Sequence, residues 1–113
     1  MKRIEAFVRV NRLEAVKSSL EDAGILGLSC EQIRGYGRQM GHTDKYRGST
    51  YAVNLLPKMK LEVYVKDEEL TDAIDAIVRA TQTGEIGDGK IFVTDVIDAV
   101  RIRTGERGDA ALS

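Results

Sequence analysis

The sequence predicts an α+β fold in which two strand–helix–strand units share one antiparallel sheet with both helices on one face, the ferredoxin-like βαββαβ arrangement. Three observations predict it. Residues 2 to 10 alternate, with Ile4, Ala6, Val8 and Val10 to one side and Arg3, Glu5, Phe7 and Arg9 to the other. Met59, Leu61, Val63 and Val65 repeat the pattern against Lys58, Lys60, Glu62 and Tyr64. Such period-two alternation marks a half-buried strand. Each run leads into residues at helical spacing, and a long stretch of turn chemistry separates the two units.

Taken in order, the first strand ends near Val10, and Asn11 is placed to cap a helix carrying Leu13, Val16, Lys17 and Leu20. Gly24 suits the residue just past that helix, where a left-handed conformation closes the last turn. A second strand is expected from Ile25 to about Arg34. After the strand of Lys58 to Val65, Asp67 is placed to cap a second helix with Leu70, Ile74, Ile77, Val78 and Thr81 inward and Gly84 at its end. Ile91 to Val93 is a short strand. A turn of helix near Ile97, an extended segment from Ala99 to Arg103 and a polar tail over 104–113 complete the chain. Glu5, Phe7, Glu62 and Tyr64 fall on the sheet face away from the helices, and a small sheet often covers such a mixed face by oligomerising.

Between the units, Gly35 to Pro57 carries three glycines in its first seven residues (Gly35, Gly37, Gly41) and then a charged, hydroxyl-bearing run without apolar periodicity. Long loops in compact domains are usually functional or disordered, and Tyr46 and Tyr51 favour a surface that meets a partner. A mobile arm over residues 37–55 is the expectation.

The 113 residues form one domain, 1–113, long enough to bury roughly two thirds of the unfolded surface. A net charge of -1 argues against a general nucleic-acid or membrane-surface binder, which would carry a basic excess. The single cysteine, Cys30, excludes an internal disulfide framework. With no signal peptide or long apolar run, a cytoplasmic protein without membrane insertion is expected. Cys30 and His42 are too few for a metal site and read as a packed and a solvated side chain.

The strongest chemical signal is Thr83-Gly84-Glu85-Ile86-Gly87-Asp88-Gly89-Lys90 ahead of Ile91-Phe92-Val93. Glycines flanking Asp88 would let successive backbone N–H groups converge as an anion-binding nest beside Lys90, or the same residues form a plain Asp-Gly turn. Arg101 and Arg103, two apart on an extended segment, would project to one side as a phosphate clamp. Gly35, Gly37 and Arg38 make a third glycine-plus-base element, and Lys58 and Lys60 add cations at the far root of the loop. Three such elements point to a nucleotide. No Ser/His/Asp or Cys/His set can be assembled around one loop histidine, and no carboxylate pair is poised for acid–base work, so binding without catalysis is expected. A small ATP-using enzyme and a nucleic-acid module are the other readings; the latter would want more sheet-face aromatics than Phe7 and Tyr64.

Taken together these residues resemble the PII family of nitrogen and carbon signalling proteins over essentially the whole chain. Tyr46-Arg47-Gly48-Ser49-Thr50-Tyr51 is similar to the family's loop signature, Thr83 to Val93 to its second signature, and Arg101-Ile102-Arg103-Thr104-Gly105-Glu106 to its tail. The resemblance implies a homotrimer with ATP and ADP competing for clefts between subunits. Gly87, Asp88, Gly89, Lys90, Arg38, Arg101 and Arg103 would hold phosphates, and Ser29, Gly35, Tyr36, Gly37, Glu62 and Tyr64 the adenosine end. Gln39 would be a ligand of the Mg2+ that accompanies ATP, and Lys58 would pair with a carboxylate of 2-oxoglutarate, with Met40 and Gly41 beside that effector. The loop would act on an ammonium channel, N-acetylglutamate kinase or another metabolic regulator. Tyr51 stands at the family's uridylylation position and Ser49 at its serine phosphorylation position. Val10-Asn11 replaces the family's usual Pro-Phe, Met40 a common lysine and Thr50 a common glutamate. A divergent adenylate or small-anion sensor, for bicarbonate in carbon assimilation, is the alternative within the family.

Overall fold

The computed structural model describes residues 1–35 and 55–113 and, between them, the backbone of 45–46 and 49–50. The elements are β1 (Lys2–Val8), α1 (Leu13–Asp22), β2 (Ser29–Gly35), β3 (Lys45–Tyr46), β4 (Ser49–Thr50), β5 (Leu56–Val65), α2 (Leu70–Thr81) and β6 (Lys90–Asp95). The main sheet has the order β2-β5-β1-β6, antiparallel throughout, which is the expected βαββαβ topology. Within the stretch read as a loop, β3 and β4 pair as a short antiparallel ribbon.

Register follows the hydrophobic alternation, because a one-residue slip would turn every apolar side chain out of the core. Ile4 lies opposite Val63, Ala6 opposite Leu61 and Val8 opposite Met59, all buried against the helices. Val16 and Leu20 of α1 and Ala73, Ala76 and Ile77 of α2 complete that core. The helices pack on each other, with Ser19 Oγ donating to the carbonyl of Ala76 at 2.7 Å. In α2 the alanines, smaller than the expected Leu70 and Val78, take the innermost places, and Leu70 and Ile74 pack at the edge.

Helix boundaries depart from the sequence reading where short 3-10 turns intervene. Asn11 does not cap α1; it sits inside a turn of Val10–Arg12 that lifts the chain off β1. Asp67 likewise opens a 3-10 turn, Asp67–Glu69, and the Lys66 N–H donates to the Glu69 carboxylate at 2.9 Å. The end of α1 is as expected. Gly24 has φ 79, its N–H donates to Glu21 O, and Ile25 N–H reaches back to Leu20 O while both side chains enter the core. The second strand starts at Ser29, because Ile25 is spent on that closure. Gly84 does not end α2, which stops at Thr81.

After β6 no helical turn forms near Ile97. Asp98 instead accepts from the N–H groups of Ala99 and Gly108 and from Arg107, closing a hairpin bridged between Val100 and Arg107. Arg101 and Arg103 therefore do not share one side of an extended segment; residues 102–104 form the hairpin's turn. The tail is also structured, with a 3-10 turn at Gly108–Leu112. No described helix is long and apolar enough to cross a membrane.

Candidate functional site

The end of β1 and the starts of β5 and β6 meet at the 83–90 loop, and that convergence builds the site. Gly89 is seated on the backbone of β1: a Cβ there would lie 1.7 Å from the carbonyl oxygen of Phe7, and its φ is 104. Glycine is required at this point by close approach alone. Just past the end of β1, Arg9 reaches across and donates to Asp88 Oδ1 at 2.6 Å and to Ile86 O at 3.1 Å. Gly87, φ 106, lies under that guanidinium, where a Cβ would come within 3.0 Å of Arg9 Nη2. Lys58 of β5 donates to Gly87 O at 3.0 Å. The loop is thus pinned from two strands by its carbonyl oxygens, with positive φ on both sides of Asp88.

The Asp88 carboxylate is the loop's internal acceptor. Oδ2 accepts from the N–H groups of Thr83 and Gly84, both at 2.8 Å, while Oδ1 accepts from Thr83 Oγ1 as well as Arg9. These donors, the Thr83 hydroxyl foremost, hold the carboxyl far below the ordinary carboxylate range. A group whose folded pKa is depressed contributes stability above its unfolded pKa, and that contribution fades as pH falls from about 4 toward the folded value. Asp88→Asn is accordingly expected to lower stability at pH 7 and to flatten the acid limb of the pH–stability curve below about pH 4, measured by urea unfolding at stepped pH. An acid limb identical to the wild type's would show that the carboxylate does not carry this load.

Lys58 has a lowered pKa, first from burial and then from the nearby Arg9 charge, with Asp88 opposing. Two cations therefore stand together at the root of the 37–55 segment, since Lys58 lies opposite Ile33 and the next pairs lead to Gly35 and Leu56. Such a pair favours an anionic partner.

On the open sheet face the register makes rows. Phe92, Glu5, Glu62 and Ser29 form one, and Lys90, Phe7, Lys60 and Glu31 the next. Tyr64 donates to Glu62 at 2.7 Å, which lowers the Glu62 pKa and raises that of Tyr64. Arg3 bridges Glu62 and Glu5, and Lys60 lies 3.7 Å from Glu5 and 3.5 Å from Glu31. Phe7 and Phe92 meet edge to face at 6.0 Å.

Ser29, Glu62, Tyr64 and Lys90 are thus brought to one face, and Gly35, Lys58 and Gly87–Gly89 to one end. Arg101 and Arg103 follow β6 at Asp95, beside Lys2, whereas Gly87–Gly89 precede it beside Phe7. The length of β6, roughly 17 Å, separates those two ends. Arg101 is held by Glu106 at 2.7 Å and by the carbonyl of Ala110 at 3.0 Å. Tyr36, Gly37, Arg38, Gln39, Met40, Gly41, His42 and Tyr51 lie outside the described residues, and Ser49 is described only as backbone in β4. Among the described residues no His, Cys, Asp or Glu cluster could hold a metal ion. Thr83 opens the motif singled out in the sequence, whereas Arg9 belongs to the site but is not evident there, because its partner lies 79 residues away.

A family model for nitrogen regulatory protein P-II matches residues 1–106. The chain belongs to that P-II family. The nitrogen regulatory protein P-II of Pasteurella multocida is 51% identical and that of Haemophilus influenzae 53%, each over 99% of this chain and 100% of the relative. Nitrogen regulatory protein P-II 1 of Escherichia coli K12 is 48% identical over the same shares. The P-II match runs through the whole sheet and the 83–90 loop, and these relatives are named as regulators, in keeping with a signalling role rather than a catalytic one.

Proposed function

We propose that the chain is a P-II signal-transduction protein that binds ATP and ADP competitively, binds 2-oxoglutarate together with Mg-ATP, and converts occupancy into the conformation of the 37–55 segment. Gly87, Gly89 and Lys90 would face the phosphates, joined by Arg38, Arg101 and Arg103. Asp88 would contribute its backbone N–H only, since its carboxylate is engaged and of like charge. Ser29, Gly35, Tyr36, Gly37, Glu62 and Tyr64 would line the adenosine end. Gln39 would ligate Mg2+, with Met40 and Gly41 beside the effector. Partners would be an ammonium channel, N-acetylglutamate kinase or a comparable regulator in the cytoplasm, with Ser49 or Tyr51 open to modification.

The observation that carries this reading is the pinned loop beside Lys58 and Arg9. An anion there would relieve the repulsion between Lys58 and Arg9, beside the carbonyl of Gly87 that Lys58 already holds. The ligand-binding residues also fall at opposite ends of β6, which favours a cleft between copies over a pocket within one chain. A homotrimer meets that requirement.

Calorimetric titration with 2-oxoglutarate, in the presence of Mg-ATP in one run and Mg-ADP in the other, tests the reading. Binding is expected only in the ATP run. Gln39→Ala should abolish it and leave ADP affinity within about twofold, because the side chain removed is the proposed ligand of the Mg2+ shared with the effector and not a contact of ADP. Absence of nucleotide binding in the wild type would overturn the proposal.

A further inference from the structure

Asp88 cannot touch an anionic ligand with its carboxylate, yet four donors converge on it. Thr83 supplies its N–H and its hydroxyl, Gly84 an N–H and Arg9 a guanidinium N–H. The Thr83 hydroxyl also accepts from Glu85 N–H at 3.2 Å, so one side chain ties both ends of the loop's first turn. Arg9 enters from the end of β1 and takes Ile86 O in addition to Asp88, lying over Gly87. The stretch Gly87–Gly89 is therefore held on its inner side, and its conformation depends on side chains that lie outside it.

We propose that Arg9 and Thr83 are positioning residues for an anionic nucleotide ligand, acting through Asp88 to hold Gly87–Gly89 in the binding conformation. The inference rests on the nucleotide site proposed above. Preorganised donors bind more tightly than donors that must be ordered on binding, so loosening the loop is felt as lost affinity without any lost ligand contact. Thr83 is exposed and its removal leaves the core untouched.

ADP titrated into the wild-type chain by calorimetry is the probe, with Thr83→Val, Thr83→Ser, Arg9→Met and the Thr83→Val/Arg9→Met double variant. Each single loss is expected to weaken ADP about five- to tenfold, the scale of one lost hydrogen bond. Thr83→Ser, which keeps the hydroxyl, should return to within about twofold of wild type. Because both side chains act through one carboxylate, the double variant should be little weaker than the worse single variant. Effects that multiply would assign Arg9 a direct ligand contact and overturn the proposal, as would unchanged affinity in both single variants. Wild-type protein that fails to bind ADP would remove the nucleotide reading itself, a different result from wild-type binding that the variants leave unaltered.

Discussion

Gly89→Ala is expected to destabilise the chain by about 3 kcal/mol or more, the largest effect expected among the described glycines. Two costs combine. The residue has φ 104, a region that side chains disfavour by about 1–3 kcal/mol. The added Cβ would also meet the Phe7 carbonyl oxygen at 1.7 Å, less than half of an ordinary carbon–oxygen contact. Relief would require the loop to lift from β1 or β1 to shift within the sheet, and Phe7 is tied there by its pairing with Lys60 and Lys90. Lifting the loop is the cheaper route, so it should carry the Arg9–Asp88 bridge with it. Urea unfolding would give the free energy, and Gly24→Ala, with a positive φ but nothing within 4 Å of its Cβ, provides the comparison. Equal losses at the two glycines would mean that close approach to β1 contributes nothing and that the loop is not seated as described.

The contrast between those glycines shows how much of this molecule is readable from residues in order. Gly24 is legible because a helix end is a local event: the apolar spacing stops, and the αL residue follows at once. The β1 and β5 alternation is equally legible, since one buried face fixes the parity of every side chain. Gly89 is legible only as a turn residue. What compels it is a backbone more than 80 positions earlier, and no local pattern marks that approach.

The same limit explains the misplaced caps and arginines. Asn11 and Asp67 have capping chemistry, but a 3-10 turn moves the caps to Arg12 and Glu69, one and two residues on, and the Asp67 carboxylate accepts from the N-terminal amine instead. Arg101 and Arg103 share parity in a strand, yet Asp98 gathers Ala99, Arg107 and Gly108 and turns that segment into a hairpin. Asp88 is the instructive case for the site. Flanked by glycines it looks like part of an anion nest, whereas the fold uses its charge internally and leaves only the backbone for a ligand.

Phe92→Asp is the second large effect, and it bears on assembly. Phe92 is 52% exposed on the open sheet face, edge to face with Phe7 and in the row of Glu5, Glu62 and Ser29. Around it the charges are already matched: Arg3 with Glu5 and Glu62, Lys60 with Glu5 and Glu31, Tyr64 with Glu62. A second copy laid on this face would cover aromatic surface among carboxylates that already have cationic partners, which favours burying a polar sheet face. An aspartate at 92 upsets that balance by adding a carboxylate beside Glu5. If the trimer proposed above is right, sedimentation should show wild type at three chains and Phe92→Asp at one. If the nucleotide site lies between copies, ADP binding should vanish in the same variant, although Gly87–Lys90 and the Arg9 bridge are untouched. A monomeric variant that still binds ADP at wild-type affinity would place the whole site within one chain. That result would require Arg101 and Arg103 to act without the Gly87–Gly89 loop, because β6 keeps them apart.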